Sequence, residues 1–236
     1  MSKIIVVKGI SGSGKSSRVF QLIKYLEVLG CQFEDFHYLN KEGKDRVVGL
    51  LCKNLGIVFL GKIYKSGTVE RWQGYDSVTG CFMKSEYFSE FLKDQKGKFT
   101  MFVEGAGVTQ TNRLRPKFLH EQLGYESIMI QYYNYDNKQD YLDRITYRSG
   151  KVPTKATMWD KNSSFIAESA WSLIDQKTID CEVYINQFNA PISDLGVKFF
   201  KFIGLDKETI DDFVEFTKEF DYINKNNFEN FEKCAE

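Results

Sequence analysis

Residues Gly9-Ile10-Ser11-Gly12-Ser13-Gly14-Lys15-Ser16 fit the phosphate-loop pattern G-x-x-x-x-G-K-[ST] at every fixed position. No other feature constrains the fold as strongly, because the pattern works only between a buried strand and a helix. Both flanks are present. Lys3 to Lys8 reads as a core strand, and Arg18 to Leu26 has helical apolar spacing, with Val19, Leu22, Ile23 and Leu26 on one face. Glycines let backbone N–H groups turn toward phosphate oxygens, and the helix that follows presents its positive end to the anion. The phosphate cradle is therefore expected from Gly9, Ser11, Gly12, Ser13, Gly14, Lys15, Ser16 and Ser17. Lys15 reaches the outer phosphates in this reading, and Ser16 holds Mg²⁺.

The 236 residues suit one elaborated α/β domain, and 42% hydrophobic residues suffice for a core. Formal net charge is zero, so no global field marks the chain for nucleic acid or membrane, although a local basic groove stays open. Five scattered cysteines, two histidines and no C-x-x-C point to reduced thiols in a cytosolic setting rather than to a zinc site. The first apolar run is short and leads into the phosphate loop, so it reads as a core strand rather than a signal peptide, and nothing approaches membrane-spanning length.

Further along, Gln32 to Leu39 reads as extended. The stretch from Val47 to Gly80 alternates short β-like pieces with glycines and reads as a hairpin excursion or binding lobe. A helix is expected over Ser85 to Lys96, with strands over Phe99 to Val103 and Ser127 to Tyr133. Helices are expected over Leu114 to Leu123, Gln139 to Ser149 and Ser163 to Ile174, then a last strand over Cys181 to Ile185. Residues 193 to 236 read as helices packed through Phe199, Phe200, Phe213, Phe216 and Phe220. Strand–helix alternation predicts a mainly parallel sheet covered on both faces.

Several side chains fit phosphoryl-transfer chemistry. Glu104 closes a strand expected beside the phosphate-loop strand, where ligands of such sheets sit. Asp35 offers a carboxylate able to deprotonate an acceptor hydroxyl. Arg144 and Arg148, four residues apart, share one helix face that suits a phosphoryl group in transit. Arg71, Trp72, Tyr75 and Asp76 combine a cation, two aromatics and a carboxylate around a glycine, so a base could stack there. Asn112 and Arg113 follow Glu104 closely and could read the acceptor. A competing signal, Asn137-Lys138-Gln139-Asp140, matches the guanine-reading N-K-x-D pattern. The strand ending at Val103 continues into Glu-Gly-Ala-Gly rather than D-x-x-G, so the four residues read as a helix start.

On the phosphate loop and the Arg144-x-x-x-Arg148 pair, the chain resembles P-loop kinases of the nucleoside and nucleotide kinase group over about residues 3 to 187. Its texture is similar to virus-encoded kinases of modified-nucleotide pathways, including those acting on 5-hydroxymethyluracil within DNA. The resemblance implies a P-loop NTPase-type three-layer α/β sandwich over residues 1–190. It implies an acceptor-binding β-rich lobe near 40–98, a lid near 137–160 carrying the two arginines, and a helical extension over 191–236. It also implies ATP as donor, Mg²⁺ as cofactor, and a nucleotide or DNA acceptor. The best match is the hydroxyl of a 5-hydroxymethylpyrimidine in DNA. A deoxynucleoside monophosphate kinase and a nucleotide-dependent switch are the alternatives, and the oligomeric state is left open.

Overall fold

The computed structural model describes residues 1–10, 12–67, 69–105, 111–149, 157–187 and 189–232. Side chains are not described at 111, 147–149, 157–158 and 220–232. In chain order the elements begin with β1 (Lys3–Gly9), α1 (Lys15–Val28), β2 (Phe33–Leu39), β3 (Asp45–Cys52), β4 (Ile57–Leu60), β5 (Lys62–Ser66) and β6 (Val69–Gln73). There follow α2 (Thr79–Phe82), α3 (Ser85–Gln95), β7 (Thr100–Glu104), α4 (Pro116–Glu121), β8 (Ser127–Asn134), α5 (Lys138–Ser149), α6 (Thr157–Gln176), β9 (Glu182–Gln187), α7 (Asp194–Ile203) and α8 (Lys207–Glu232).

Seven strands form one mixed sheet in the order β2-β3-β4-β7-β1-β8-β9. From β4 to β9 every pairing is parallel, while β3 runs antiparallel to both β2 and β4. The phosphate-loop strand β1 lies between β7 and β8, at the centre of the parallel part. Its sequence explains the place, since a strand buried on both faces must be apolar at every inner position. Ile4 and Val6 point into one core, and Ile5 and Val7 into the other.

Helices cover both faces. Phe88, Phe91 and Leu92 of α3 and Leu119 of α4 pack on the first core. The second is closed by Val19, Leu22, Ile23 and Leu26 of α1, Leu195, Phe199 and Phe200 of α7, and Ile210 and Phe213 of α8. The aromatic stripe of α7 and α8 thus completes the core behind α1. The side chain of Phe220 lies outside the described residues. Ile10, Tyr135, Tyr141 and Phe165 form a third, smaller cluster at the carboxyl end of the sheet.

The stretch from Val47 to Gly80 departs from the expected excursion. β3 and β4 belong to the main sheet, and only β5 and β6 form a separate two-stranded hairpin. All four residues of β4 are buried, as an inner parallel strand requires, and α3 is core as well. The expected β-rich lobe therefore reduces to β5–β6 and the 3₁₀ turn Tyr75–Ser77 that follows it. Asn137 and Asp140 exchange two hydrogen bonds, Nδ2 to Oδ2 at 2.8 Å and N to Oδ1 at 2.9 Å. They close the first turn of α5, as the helix-start reading requires. The cysteines at 31, 52, 81 and 181 are free thiols, and Cys234 lies outside the described residues. Among the described residues no helix is long and apolar enough to cross a membrane.

Candidate active site

The phosphate loop leaves β1 at Gly9 and enters α1 at Lys15. Gly9 has φ 139°, and a Cβ there would fall 2.2 Å from the Tyr133 carbonyl oxygen, so no other residue fits. The Ser13 hydroxyl and the Lys15 ammonium both donate to the Ile10 carbonyl, at 2.8 and 2.9 Å, and Lys15 Nζ lies 3.3 Å from Ser13 Oγ. The buried ammonium is thus folded over the concave side of its own loop. The first turn of α1 holds no acidic residue, so its positive end is left for an anion. Ser16 is half-buried and Ser17 exposed, while Ser11 lies outside the described residues.

β7 runs beside β1 with Glu104 level with Val7, and Gly105 N–H donates to the Val7 carbonyl. This register carries Glu104 to the mouth of the loop, where Ser16 Oγ donates to its Oε1 at 3.2 Å. Glu104 is 2% exposed, and among the described residues its Oε2 has no hydrogen-bond partner. Burial pushes the carboxyl above its ordinary range. Lys15 opposes the rise, and Asp76 adds to it. A buried, half-satisfied carboxylate beside a hydroxyl and an ammonium is costly unless something cationic completes it. This donor set fits a hard divalent cation held mostly through water.

Asp76 reaches the same place from the other side. The chain descends from β6 through Gly74, which packs on Glu104, and Asp76 in the next turn lies against Gly105, whose Cβ would meet its carboxylate at 2.7 Å. Asp76 is exposed. Three carboxyl ends of the fold thus converge, bringing together Lys15, Ser16, Glu104 and Asp76.

Other expected residues fall elsewhere. Asp35 is exposed on β2, the outermost strand. Four strand spacings separate β2 from β1, roughly 19 Å, so the structure does not bring Asp35 to the loop. Trp72 and Tyr75 are not open stacking platforms. Trp72 is buried in the second core, and Tyr75 in the first, 4.2 Å from the Phe88 ring. Period-2 reading could not show which side of β6 meets α1. Arg71 is exposed on the opposite face of β6 from Trp72. Asn112 is exposed in the turn Thr111–Leu114, and Arg113 is paired with Glu86 of α3 at 2.7 Å.

The arginine helix does reach the loop. Tyr141 of α5 anchors it in the third cluster against Tyr135, and Ile145 Cδ1 lies over Gly12, 3.1 Å from where a Cβ would be. Arg144 is exposed on that helix, and the side chain of Arg148 lies outside the described residues.

Two buried groups near the loop carry no motif. Arg18 donates to the carbonyls of Ser13, Ala190 and Pro191 and stacks over Tyr133 at 4.7 Å, tying the loop to the chain entering α7. Lys8, one residue before Gly9, pairs with Glu168 of α6 inside the protein. Burial lowers the Lys8 pKa, against the raising pull of Glu168. The only sequence signal was a lysine inside an otherwise apolar strand.

The family model described as 5-hmdU DNA kinase 2 matches residues 1–190. The chain belongs to that family. The 5-hmdU DNA kinase 2 of Salmonella phage ViI is 26% identical over 193 residues, which cover 80% of this chain. The chain spans 62% of the length of that relative. The four convergent residues of this family member all lie inside the matched region, whereas α7 and α8 lie beyond it.

Proposed function

We propose that this chain transfers the γ-phosphoryl group of ATP to the hydroxyl of 5-hydroxymethyluracil in DNA. The convergence of Lys15, Ser16, Glu104 and Asp76 at the mouth of the phosphate loop carries the reading. The phage relative, a 5-hmdU DNA kinase, suggests the acceptor. The parallel strand order around β1, with helices on both faces, supports a P-loop NTPase-type three-layer sandwich.

In this reading the loop backbone and Lys15 hold the outer phosphates. Ser16 and Glu104 would hold Mg²⁺, which would supply positive charge to the outer phosphates. Asp76 accepts the proton of the hydroxymethyl group as its oxygen forms the new bond to phosphorus, while the bond to the β-phosphate oxygen breaks and ADP leaves. Arg144, and Arg148 one turn on, neutralise the equatorial oxygens when the segment 137–160 closes. Catalysis is then mainly positioning and charge compensation.

A free monophosphate acceptor needs guanidinium groups turned toward its phosphate. Arg113 is instead paired with Glu86, and Arg115 makes a two-pronged pair with Asp175 at 2.7 and 3.2 Å. This favours a hydroxyl acceptor. The test is transfer of label from γ-labelled ATP to a hydroxymethyluracil oligonucleotide, its unmodified thymine twin, the free monophosphate and water. Label only on the modified oligonucleotide is the expected result, whereas label only on the monophosphate or only in inorganic phosphate overturns the reading.

A further inference from the structure

The β5–β6 hairpin carries an unusual surface beside the site. Its register pairs Lys62 with Gln73, Tyr64 with Arg71 and Ser66 with Val69 on one face, and Ile63 with Trp72 and Lys65 with Glu70 on the other. The second face is committed to the protein. Trp72 and Ile63 pack on the core beneath α1, and Glu70 bridges Lys24 of α1 at 3.1 Å and Lys65 at 2.5 Å. The first face looks outward. It holds two cations and no carboxylate, in a chain of zero net charge. The Arg71 guanidinium lies over the Tyr64 ring, 4.8 Å from its centroid. Gln73, at the foot of the hairpin, is three residues from Asp76.

We propose that this face is a β-ribbon that lies in the major groove of duplex DNA and seats the target hydroxymethyl group at Asp76. The inference rests on the reading of the chain as a kinase of hydroxymethyluracil in DNA. A substituent on pyrimidine C5 occupies the position of the thymine methyl, which projects into the major groove. That groove, about 12 Å wide, admits a two-stranded ribbon laid with one face inward. Five-residue strands span roughly 17 Å, the length of about five base pairs. Lys62, near the foot, meets a backbone phosphate. Arg71, resting over Tyr64, presents its planar fork to a guanine edge, and Gln73 has the pair of groups that an adenine edge takes. The hairpin thus reads base pairs on one side of the target, while the site acts on the group they present.

The experiment uses a duplex carrying one 5-hydroxymethyluracil and the same modified single strand, with wild type, Lys62→Ala, Arg71→Ala and Lys65→Ala. The KM for the duplex should rise about tenfold in Lys62→Ala and Arg71→Ala, with the KM for ATP unchanged. Lys62→Ala should also make the dependence of log affinity on log salt shallower by roughly 0.9, one phosphate contact. Arg71→Ala should instead flatten the preference for flanking sequence. Lys65→Ala, on the inner face, should match wild type. Wild-type values for both outer-face variants, or transfer confined to the single strand, overturn the ribbon proposal alone. Absence of transfer to either DNA by wild type overturns the kinase reading beneath it as well.

Discussion

Gly74 lies so close to Glu104 that a Cβ on it would fall 2.2 Å from the carboxylate Oε2 and 2.2 Å from the carbonyl oxygen. The Gly74 backbone, at φ −67°, is one that alanine adopts, so the restriction is purely one of space. Gly74→Ala must therefore push the carboxylate off Ser16 or lift the β6 segment from β7. The expected cost is about 1–3 kcal/mol of stability, with loss of phosphoryl transfer. Gly80→Ala is the matched control, since nothing lies within 4 Å of a Cβ there. Denaturant midpoints and turnover for the two variants check this, and equal behaviour overturns it.

Glu104 should make the protein without nucleotide less stable as pH rises. Burial holds its carboxyl above the ordinary range, so the folded state keeps a proton that the unfolded chain releases. Stability is fully present below the unfolded pKa, and falls as pH climbs from there through the raised folded value. Glu104→Gln removes this loss. The variant should match wild type near pH 4 and melt at a higher temperature than wild type at neutral pH. The same variant should bind Mg²⁺ less well. Melting curves across the pH range decide it, and a variant less stable at neutral pH refutes the sign.

Lys15→Ala should act on rate and not on fold. The ammonium donates to the Ile10 carbonyl at 2.9 Å and lies 3.3 Å from Ser13 Oγ, both within its own loop. Its charge matters most when negative charge moves on to the transferring group, so kcat should fall on the order of a hundredfold. Tm without nucleotide should stay within about 2 °C, and the Tm gain from added ATP should shrink. Turnover close to wild type would remove Lys15 from the mechanism.

The buried pair of Lys8 and Glu168 should show strong coupling. Tyr132 donates to the same Glu168 oxygen at 3.2 Å and lies 2.9 Å from Ser172 Oγ, so the pair sits in a shared network. Glu168→Ala strands the Lys8 ammonium beneath the phosphate-loop strand and should cost about 3–5 kcal/mol. Lys8→Met combined with Glu168→Leu should recover most of that loss, because neither charge is then left alone. Urea unfolding of the single and double variants measures it. Additive losses would show that the two side chains act independently.

The phosphate loop and the parallel core around it were legible in the residues. Local chemistry alone dictates a strand–glycine loop–helix unit, and the apolar runs at β1, β7 and β8 admit only a strand buried on both faces. The ends of α1, α3 and β8 fall within a few residues of their sequence signals for the same reason. Glu104 was legible too, because a carboxylate ending a core strand has one natural place to go. Asp35 was not, since an alternating strand reads alike at a sheet edge or beside the centre, and only pairing across β3 and β4 put it on the rim. Trp72 is core rather than an open stacking platform because the side of β6 that meets α1 is chosen by packing between elements distant in sequence. Asp76 beside Glu104, and Lys8 against Glu168 160 residues away, are likewise products of the assembled fold. Sequence carries local periodicity and backbone chemistry, whereas long-range neighbours are decided only when the sheet order brings distant strands side by side.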